Sequence, residues 1–351
     1  MLKIKKAQLN LLEKLTNTCA PSGDEGPIRK IVRAEVEDLA DEIKVDAMGN
    51  LLVTKKGKGR NRLKVMLAAH MDEVGFMLVN EAGDGLFEIN NLGGLDPRQL
   101  VGKPVLVGRD NVPGVIGAAP VHLLSPSQRS SKMSLSALRI DVGTGKPNVK
   151  VGDRATFATK FQRIGQSIRA KALDDRLGVA ILIELLKNAP SNVDLLAAFT
   201  VQEELGLRGA KVAAHALSPD LALAIDSTPA YDLPMHDGKE NIRYNTKLGA
   251  GPAIYTADAR TLSDPRIIRW LSETGDAKKI PYQYRQAGGG GTDAGNIHLS
   301  LDGIPTGSVS VPGRYAHTAM GLCRISDWEN TLNLLHAALD NLTPKFLGTP
   351  R

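Results

Sequence analysis

Two adjacent glutamates, Glu203 and Glu204, stand in the segment VQEELGLRGA directly after an apolar run. The run, residues 195–201, is apolar enough to form a strand that is buried on both faces of a sheet. The two carboxylates would then lie at the carboxyl end of that strand, where open α/β sheets bind their ligands. A solvated turn with two exposed acids is the alternative, so the rest of the chain must distinguish the two interpretations.

Acidic and imidazole groups also stand at the ends of other predicted elements. The strand KVMLAAH ends at His70 and is followed by Asp72, and the strand LALAID ends at Asp226. Asp174 begins a predicted helix in KALDDRLG, and His317 follows the last predicted strand in GRYAHTAMG. Because the carboxyl ends of parallel strands meet at one edge of a sheet, we expect these side chains to converge with the glutamate pair.

Carboxylates gathered at one edge would repel one another unless cations were bound between them. Divalent cations invert that electrostatic balance. Histidine and carboxylate ligands without cysteine suit Zn²⁺, Co²⁺ or Mn²⁺. The ligands outnumber one tetrahedral site, which predicts two divalent ions per chain, bridged by a carboxylate and a water as in many hydrolases. One glutamate of the pair would then bind metal, and the other would act as general base on the water.

The elements that would position this cluster alternate along most of the chain. Its 351 residues exceed the usual size of one domain. Helical and strand patterns alternate over residues 1–72 and 166–351, which predicts an α/β fold with a mostly parallel mixed sheet flanked by helices. Residues 73–165 instead hold short apolar segments separated by turns, which predicts a small inserted β-barrel. The polar segment SPSQRSSKMS, residues 125–134, is expected to form a mobile loop there.

Composition argues against nucleic acid as a partner. The net charge of +6 is small for this length, and aromatic residues make up only 4%, so side chains that could stack on bases are scarce. The basic run KKGKGRNRLK, residues 55–64, has interleaved glycines and is interpreted as a solvated turn. We therefore expect no nucleic-acid partner.

The N-terminus and the cysteines bear on the compartment. Four leucines between positions 9 and 15 have helical spacing with lysines around them, which predicts an amphipathic surface helix rather than a signal peptide. No apolar run approaches the roughly 20 residues needed to cross a bilayer, so no membrane partner is expected. Cys19 and Cys323 match neither a CxxC pair nor a disulfide framework. These features together predict a cytoplasmic protein.

Six motifs together resemble those of a known family. AAHMDEVGF, KALDDRLG, VQEELGLRGA, AIDSTPA, GGGGTDAG and VPGRYAHTAMG resemble, in order and spacing, the motifs of the M42 family of dinuclear metallo-aminopeptidases. The family is also described as tetrahedral or glutamyl-type aminopeptidases and sometimes as endoglucanase-like. The resemblance extends from the first helix to the last. It implies a zinc-exopeptidase-like fold and hydrolysis of peptides that have a free N-terminus.

The resemblance also implies a role for each residue of the cluster. Glu203 corresponds to the general base, Asp174 to the carboxylate that bridges two metals, and Asp72 to the acid that orients His70. Asp175 lies in the same motif and is interpreted as a helix N-terminal charge. Terminal metal ligands are implied at His70, Glu204, Asp226 and His317.

Other features follow from the resemblance or are left open by it. Residues 73–165 correspond to the family's dimerisation domain, which helps to build a hollow tetrahedral dodecamer of dimers with inward-facing active sites. After RYAHT the family commonly has a small residue or proline and then a glutamate, whereas this chain continues AMG. This difference removes no candidate metal ligand, but it leaves the structure of the pocket wall near His317 and the substrate preference undetermined. GGGGTDAG lacks the spacing of a phosphate loop, and a pocket wall beside the metals is favoured. His122 is a candidate to reach a neighbouring site.

Two other classes of function remain open at the level of the sequence. A related dinuclear hydrolase, such as a carboxypeptidase or a deacylase, would use similar ligands on a different scissile bond. An inactive assembly scaffold would keep the fold without the chemistry, but the intact set of acidic and imidazole residues disfavours it. A glycanase is also disfavoured, because metal chemistry explains the glutamate pair better than two carboxylates flanking a sugar.

Overall fold

The chain folds around a large mixed sheet and a separate closed barrel. The computed structural model describes residues 1–145, 148–239, 246–285 and 288–351. The strands in these ranges are β1 (Glu42–Val45), β2 (Leu51–Lys55), β3 (Leu63–His70), β4 (Gly75–Gly83), β5 (Leu86–Leu92), β6 (Pro104–Val107), β7 (Val112–Gly117), β8 (Arg139–Asp141), β9 (Arg154–Phe157), β10 (Gln162–Ile164), β11 (Ser167–Ala170), β12 (Val193–Thr200), β13 (Leu221–Pro229), β14 (Ala253–Tyr255), β15 (Gln283–Arg285), β16 (Thr306–Arg314) and β17 (Gly321–Arg324).

Eight α-helices accompany these strands in the described ranges. They are α1 (Lys6–Asn17), α2 (Gly26–Val36), α3 (Pro126–Ser130), α4 (Leu173–Lys187), α5 (Arg208–Leu217), α6 (Pro265–Lys278), α7 (Ala294–Ile297) and α8 (Ile325–Asn341). Among the described helices, none combines the length and the apolar character that crossing a membrane would require.

The large sheet has parallel strands at its centre and antiparallel strands outside them. Its strand order is β1-β2-β12-β3-β13-β16-β17-β11-β10, and β14 and β15 branch from β16. The strands β12, β3, β13 and β16 pair in parallel, whereas β2 and β17 join them antiparallel. The central strands are almost continuously apolar because both of their faces are covered. The predicted α/β fold with a mixed sheet flanked by helices is therefore confirmed.

Side chains that alternate along β3 enter two different cores. Val65 and Leu67 belong to the main hydrophobic cluster, which also contains the buried faces of α1, α4 and α8. Met66 and Ala68 belong to a smaller cluster with the alanines of α5. The period of two that every strand imposes thus divides one apolar run between the two faces of the sheet. This double cover holds the carboxyl end of β3 rigidly in place.

The barrel interrupts the chain immediately after β3. Its six strands close in the order β4-β5-β8-β7-β6-β9. Phe76 and Phe157 meet edge to face in its core, with ring centroids 5.5 Å apart. The predicted inserted barrel is confirmed, and its strands span residues 75–157. The strand β10 lies inside the predicted insertion 73–165 but pairs with β11 in the large sheet.

Three local predictions differ from the structure. The polar segment 125–134 contains the helix α3, because Ser125 and Gln128 form a reciprocal capping box at its start. The strand before His317 is not the last one, since β17 follows and pairs with it antiparallel. The strand that carries Asp226 continues to Pro229, because its pairing with β16 extends that far.

Candidate active site

The sheet brings the predicted cluster together at the carboxyl edge of its parallel strands. His70 is the last residue of β3, and its partner in the parallel ladder is Thr200, the last residue of β12. The glutamate pair therefore lies just beyond this edge. Asp226 is on β13, the neighbour of β3 on its other side. The two covered faces of the sheet thus fix imidazole and carboxylate groups that are far apart in sequence.

Asp174 lies between the two histidines of the cluster. Its Oδ1 is 3.2 Å from Nε2 of His70, and its Oδ2 is 3.5 Å from Nε2 of His317. Asp226 Oδ1 lies 3.9 Å from the same His70 nitrogen, and Glu204 Oε2 lies 3.4 Å from the same His317 nitrogen. Asp174 is the second residue of α4, but its own backbone dihedral angles are not helical. Each oxygen of one carboxylate thus faces a different imidazole.

The outer nitrogen of each imidazole meets a backbone carbonyl. His70 Nδ1 is 3.1 Å from the carbonyl oxygen of Asp72, and His317 Nδ1 is 2.9 Å from that of Gly94, a residue of the inserted barrel. A carbonyl oxygen only accepts hydrogen bonds, so each Nδ1 carries a proton and donates it. The Nε2 atoms are thereby directed at the carboxylates, as expected of imidazoles that bind metal.

Asp72 connects His70 to the glutamate pair from behind. Its Oδ1 lies 3.4 Å from His70 Nδ1 and accepts the backbone N–H of Glu203 at 3.1 Å. Its Oδ2 accepts the backbone N–H of Glu204 at 3.3 Å and the hydroxyl of Ser22 at 2.6 Å. Asp72 is fully buried. It therefore sets the positions of three neighbours with one carboxylate, and Ser22 is a participant that the motifs did not indicate.

Negative charge accumulates in this cluster without a full complement of positive charge. Burial raises the pKa of Glu203 well above its usual range, and the charge of Glu204 adds to the shift although His70 opposes it. Burial likewise raises the pKa of Glu204 to about 7 and that of Asp226 well above the ordinary value. Burial also disfavours ionisation of Asp174, but hydrogen bonds from His317 and His70 outweigh it and lower the pKa.

The donor set fits divalent cations. Ligand atoms lie within 4.8 Å of one another in three groups: His70, Asp174 and Asp226; His70, Glu203 and Glu204; and Asp174, Glu204 and His317. Imidazole nitrogens and carboxylate oxygens without thiolates are the ligands of hydrolytic Zn²⁺, Co²⁺ or Mn²⁺. Ions at such positions would neutralise carboxylates that are otherwise unfavourable to bury. The residues present therefore fit a metal centre.

Two further acids lie beside the cluster. Asp293 of GGGGTDAG is buried and accepts the Thr200 hydroxyl at 2.5 Å, and burial raises its pKa to about 6. Asp175 is also buried, and its Oδ1 accepts the backbone N–H of Gly178 at 2.9 Å, which suits a carboxylate in the first turn of a helix. Only the position of Asp293 inside a glycine-rich motif could have drawn attention to it in the sequence.

A cavity of about 890 Å³ opens in front of the cluster. Asp174, the glutamate pair, Asp226 and His317 are part of its lining. Tyr255, Arg260, Arg285 and the first four glycines of GGGGTDAG line it as well, which agrees with the expected pocket wall. His122 does not line this cavity and lies in an exposed turn of the insertion.

Comparison with known proteins identifies the family. The family model described as M42 glutamyl aminopeptidase matches residues 49–334. Glutamyl aminopeptidase of Lactococcus lactis is 33% identical over 348 residues, covering 94% of this chain and 95% of the relative. Lysyl aminopeptidase of Pyrococcus furiosus is 31% identical over 347 residues, covering 95% and 97%. The TET1 peptidase of Pyrococcus horikoshii, described as able to assemble into a tetrahedron or a large octahedral shell, has a TM-score of 0.83 at 33% identity, covering 95% and 100%.

The chain belongs to the M42 family of peptidases. It is a hydrolase of the aminopeptidase class. The resemblance drawn from the six motifs is thereby confirmed.

Proposed function

We propose that this chain removes N-terminal residues from peptides at a centre of two divalent cations, with Glu203 as general base. The observation that carries the proposal is the placement of Asp174, whose two oxygens face His70 and His317 separately. A carboxylate in that position suits a bridge between two ions. His70 and Asp226 would hold one ion and Glu204 and His317 the other. When bound, Zn²⁺, Co²⁺ or Mn²⁺ would act as a Lewis acid and lower the pKa of a water.

Glu203 supplies the proton transfer in this proposal. Its carboxylate lines the cavity and is buried, so it is shielded from bulk solvent. It would take a proton from the attacking water and deliver it to the amide nitrogen that leaves as the new N-terminus. Asp72 fixes the backbone of Glu203 and the tautomer of His70, which keeps both groups in place during the transfer.

The wall of the cavity that contains Arg285 supports a preference for acidic N-terminal residues. The Arg285 guanidinium lies 4.4 Å from the centroid of the Tyr255 ring, and it donates to Gly289 O at 2.8 Å and to Thr228 Oγ1 at 3.1 Å. All of these partners are neutral, and no carboxylate in the described ranges forms an ion pair with Arg285. Its charge is therefore left for a ligand, and a substrate carboxylate would match it.

The glycine-rich loop positions a second arginine on this wall. A Cβ at Gly291 or Gly295 would lie only 2.6 or 2.7 Å from side-chain carbons of Arg260, so glycine is needed for the loop to pack on that stem. Arg260 also forms no ion pair within the described part of the chain. The relatives are named glutamyl and lysyl aminopeptidases, so the family alone does not fix the preference. Arg260 and Arg285 in the cavity lining favour a substrate with an acidic N-terminal residue.

Assembly and location are further parts of the proposal. We propose that the insertion, residues 73–165, is a dimerisation domain and that dimers build a closed tetrahedral dodecamer. Val121 and Leu123 support this, because they are 69% and 71% exposed on the insertion. The TET1 peptidase of Pyrococcus horikoshii is described as able to assemble into a tetrahedron. Cys19 and Cys323 are both free, which supports a cytoplasmic location.

One experiment tests the aminopeptidase activity and distinguishes it from carboxypeptidase and deacylase activity. Protein stripped of metal and then reloaded with Zn²⁺, Co²⁺ or Mn²⁺ is given matched peptides with free and with acetylated N-termini. Cleavage of the first residue from free-amine peptides alone, only after reloading, is expected. Release of C-terminal residues would indicate a carboxypeptidase, and release of acetate would indicate a deacylase. Full turnover after exhaustive removal of metal would contradict the proposal.

A further inference from the structure

A second cavity, of about 750 Å³, lies where the first two helices meet the barrel. It is lined by the α1–α2 connection, the first turn of α2, and outward-facing parts of β6 and β9. It shares no lining residue with the cavity of the candidate active site. Its charged lining residues are Lys30, Arg109, Arg154, Lys160 and Asp24. Four cations therefore face one carboxylate, and that carboxylate is already paired with Arg109 at 3.2 Å.

Arg154 is the central cation of this junction cavity. On β9 the side chains of Ala155 and Phe157 are in the barrel core, so Arg154 points to the other face. Its guanidinium packs against Gly23, where a Cβ would lie 3.1 Å from Nη2 and where φ is +81°. Arg154 is half-buried, and within the described ranges it has no ion pair and its buried Nε has no hydrogen-bond partner. A partly desolvated cation without a partner is unfavourable, so a ligand that pairs with it would stabilise the protein.

The neighbours of Arg154 offer further positive charge and a buried donor. Thr156 lies on the same face of β9, is 1% exposed, and has a hydroxyl without a hydrogen-bond partner among the described residues. Lys30 and Lys160 also form no ion pair in that part of the chain. Gly26 and Pro27, in the first turn of α2, line the cavity as well, and the N-terminus of a helix favours negative charge.

We propose that the junction cavity binds an anion of the phosphate class, either inorganic phosphate or the phosphate group of a small metabolite. A guanidinium binds phosphate through a planar pair of donors, and lysines add point charges. A phosphate group carries a charge of about −1.5 to −2 at neutral pH and therefore matches the three cations that form no ion pair in the described ranges better than a single carboxylate does. The volume lies within the range of small-molecule sites.

The ligand would bridge two separate parts of the fold. Lys30 belongs to the helices that cover the large sheet, whereas Arg154 belongs to the barrel. An anion held by both would stabilise their junction, and it would act without contact to the candidate active site. Anion binding in the junction cavity would therefore be independent of the proposed peptidase chemistry.

The test uses metal-loaded full-length protein and inorganic phosphate as the probe. Equilibrium dialysis with radiolabelled phosphate and thermal unfolding are measured against potassium chloride of the same ionic strength. Arg154→Gln and Lys160→Gln are expected to weaken phosphate binding about tenfold or more and to remove the stabilisation by phosphate. Lys211→Gln, which changes an exposed lysine of α5 outside the cavity, is the matched control and should behave as the wild type.

Further measurements separate phosphate binding in the junction cavity from phosphate binding at the metal centre and from a failure of a variant to fold. Phosphate can also inhibit through the metal centre, so its inhibition constant for peptide cleavage is measured in parallel and is expected to be equal in all variants. Lys160 is exposed, so its variant decides the matter if Arg154→Gln does not fold. Undiminished binding in every one of these two variants that folds, or equal stabilisation by chloride, would overturn the proposal. An analogue such as glucose 6-phosphate, compared with inorganic phosphate, then distinguishes a metabolite from the free ion.

Discussion

Glu73 and Lys171 form an ion pair inside the protein, with the Lys171 ammonium 2.6 and 2.7 Å from the two carboxylate oxygens of Glu73. Both side chains are 2% exposed. Burial lowers the pKa of the Lys171 ammonium, and the charge of Glu73 opposes that shift. Glu73 follows Asp72 directly, and Lys171 stands three residues before Asp174. The pair therefore ties together two segments that carry candidate metal ligands.

Glu73→Gln should destabilise the fold by about 3–5 kcal/mol, because it leaves Lys171 and Arg176 buried without their counter-charge. The free energy of unfolding in urea measures the effect. Glu42→Gln breaks the exposed pair with Lys56 and serves as the control, with no measurable change expected. Equal unfolding free energies for the two variants would show that the buried pair does not stabilise the fold.

Glu203→Gln and Glu204→Gln should separate proton transfer from metal binding. Glu203→Gln keeps the shape of the side chain but cannot accept a proton, so turnover should fall 10²- to 10⁴-fold, roughly the range for a lost general base, with metal content intact. Glu204→Gln should lose metal and recover partly when metal is in excess. Metal analysis and kcat measure both effects. A metal-free Glu203 variant beside a metal-loaded but inactive Glu204 variant would reverse the assigned roles.

Asp72→Asn should weaken metal binding without emptying the site. The carboxylate oxygens of Asp72 accept hydrogen bonds from Ser22 and from the backbone of the glutamate pair. The asparagine NH2 group can only donate, so at least one of these hydrogen bonds is lost and the positions of His70 and Glu203 are less well fixed. Loss of such an outer partner typically lowers metal affinity roughly 10- to 100-fold. Competition with a chelator measures that affinity. Ser22→Ala removes only one of these contacts, so it should lower the metal affinity less than Asp72→Asn does. An equally large loss of metal affinity in Ser22→Ala would contradict this prediction.

Arg285→Gln should remove a preference for acidic N-terminal residues while leaving the chemistry intact. The kcat/KM for a glutamyl chromogenic substrate is expected to fall about 10- to 100-fold, since one charge-assisted contact is lost. The value for a leucyl substrate should change little. Arg260→Gln tests the second arginine in the same way. If the wild type cleaved lysyl substrates better than glutamyl ones, the proposed preference would be wrong, although the peptidase activity would stand.

Leu123→Asp should impair assembly if the barrel is the dimer contact, because a charge would replace an apolar side chain that is 71% exposed. Light scattering of the wild type is expected to give a mass far above that of one 37.5 kDa chain. Leu299→Asp, at an equally exposed leucine outside the barrel, is the control. Dissociation in the Leu299 variant alone would place the contact on the large-sheet unit instead.

The parts of the site that the sequence predicted are those fixed by strand ends. His70 follows a run of apolar residues that has to be a buried strand, and the parallel order of the sheet brings Thr200 and the glutamates beside it. Ser22 and Gly94 were not predicted, since they reach the site from loops 50 and 223 residues away from their partners. Loop contacts of this kind leave no periodic signal in the chain.

Buried charge was equally difficult to predict. Lysine and arginine are usually found on the surface, so the sequence gives no sign that Lys171 and Arg176 are buried. Only the folded chain shows that both are inside, paired with Glu73 about a hundred residues away. The short strands β10, β11 and β17 were also missed. They are antiparallel pieces of three or four residues, and their pairing rather than their own apolar pattern defines them.

The hydrogen bond from His317 to the Gly94 carbonyl ties an imidazole of the candidate metal centre to the inserted barrel. Gly94 lies in the loop that follows β5 of the barrel, whereas the imidazole faces Asp174 and Glu204 at the edge of the large sheet. A displacement of the barrel relative to the large sheet would shift this ring with respect to both acids without altering any residue of the site. If the barrel is the contact between subunits, as proposed, dissociated subunits should therefore lose specific activity while their secondary structure is still intact.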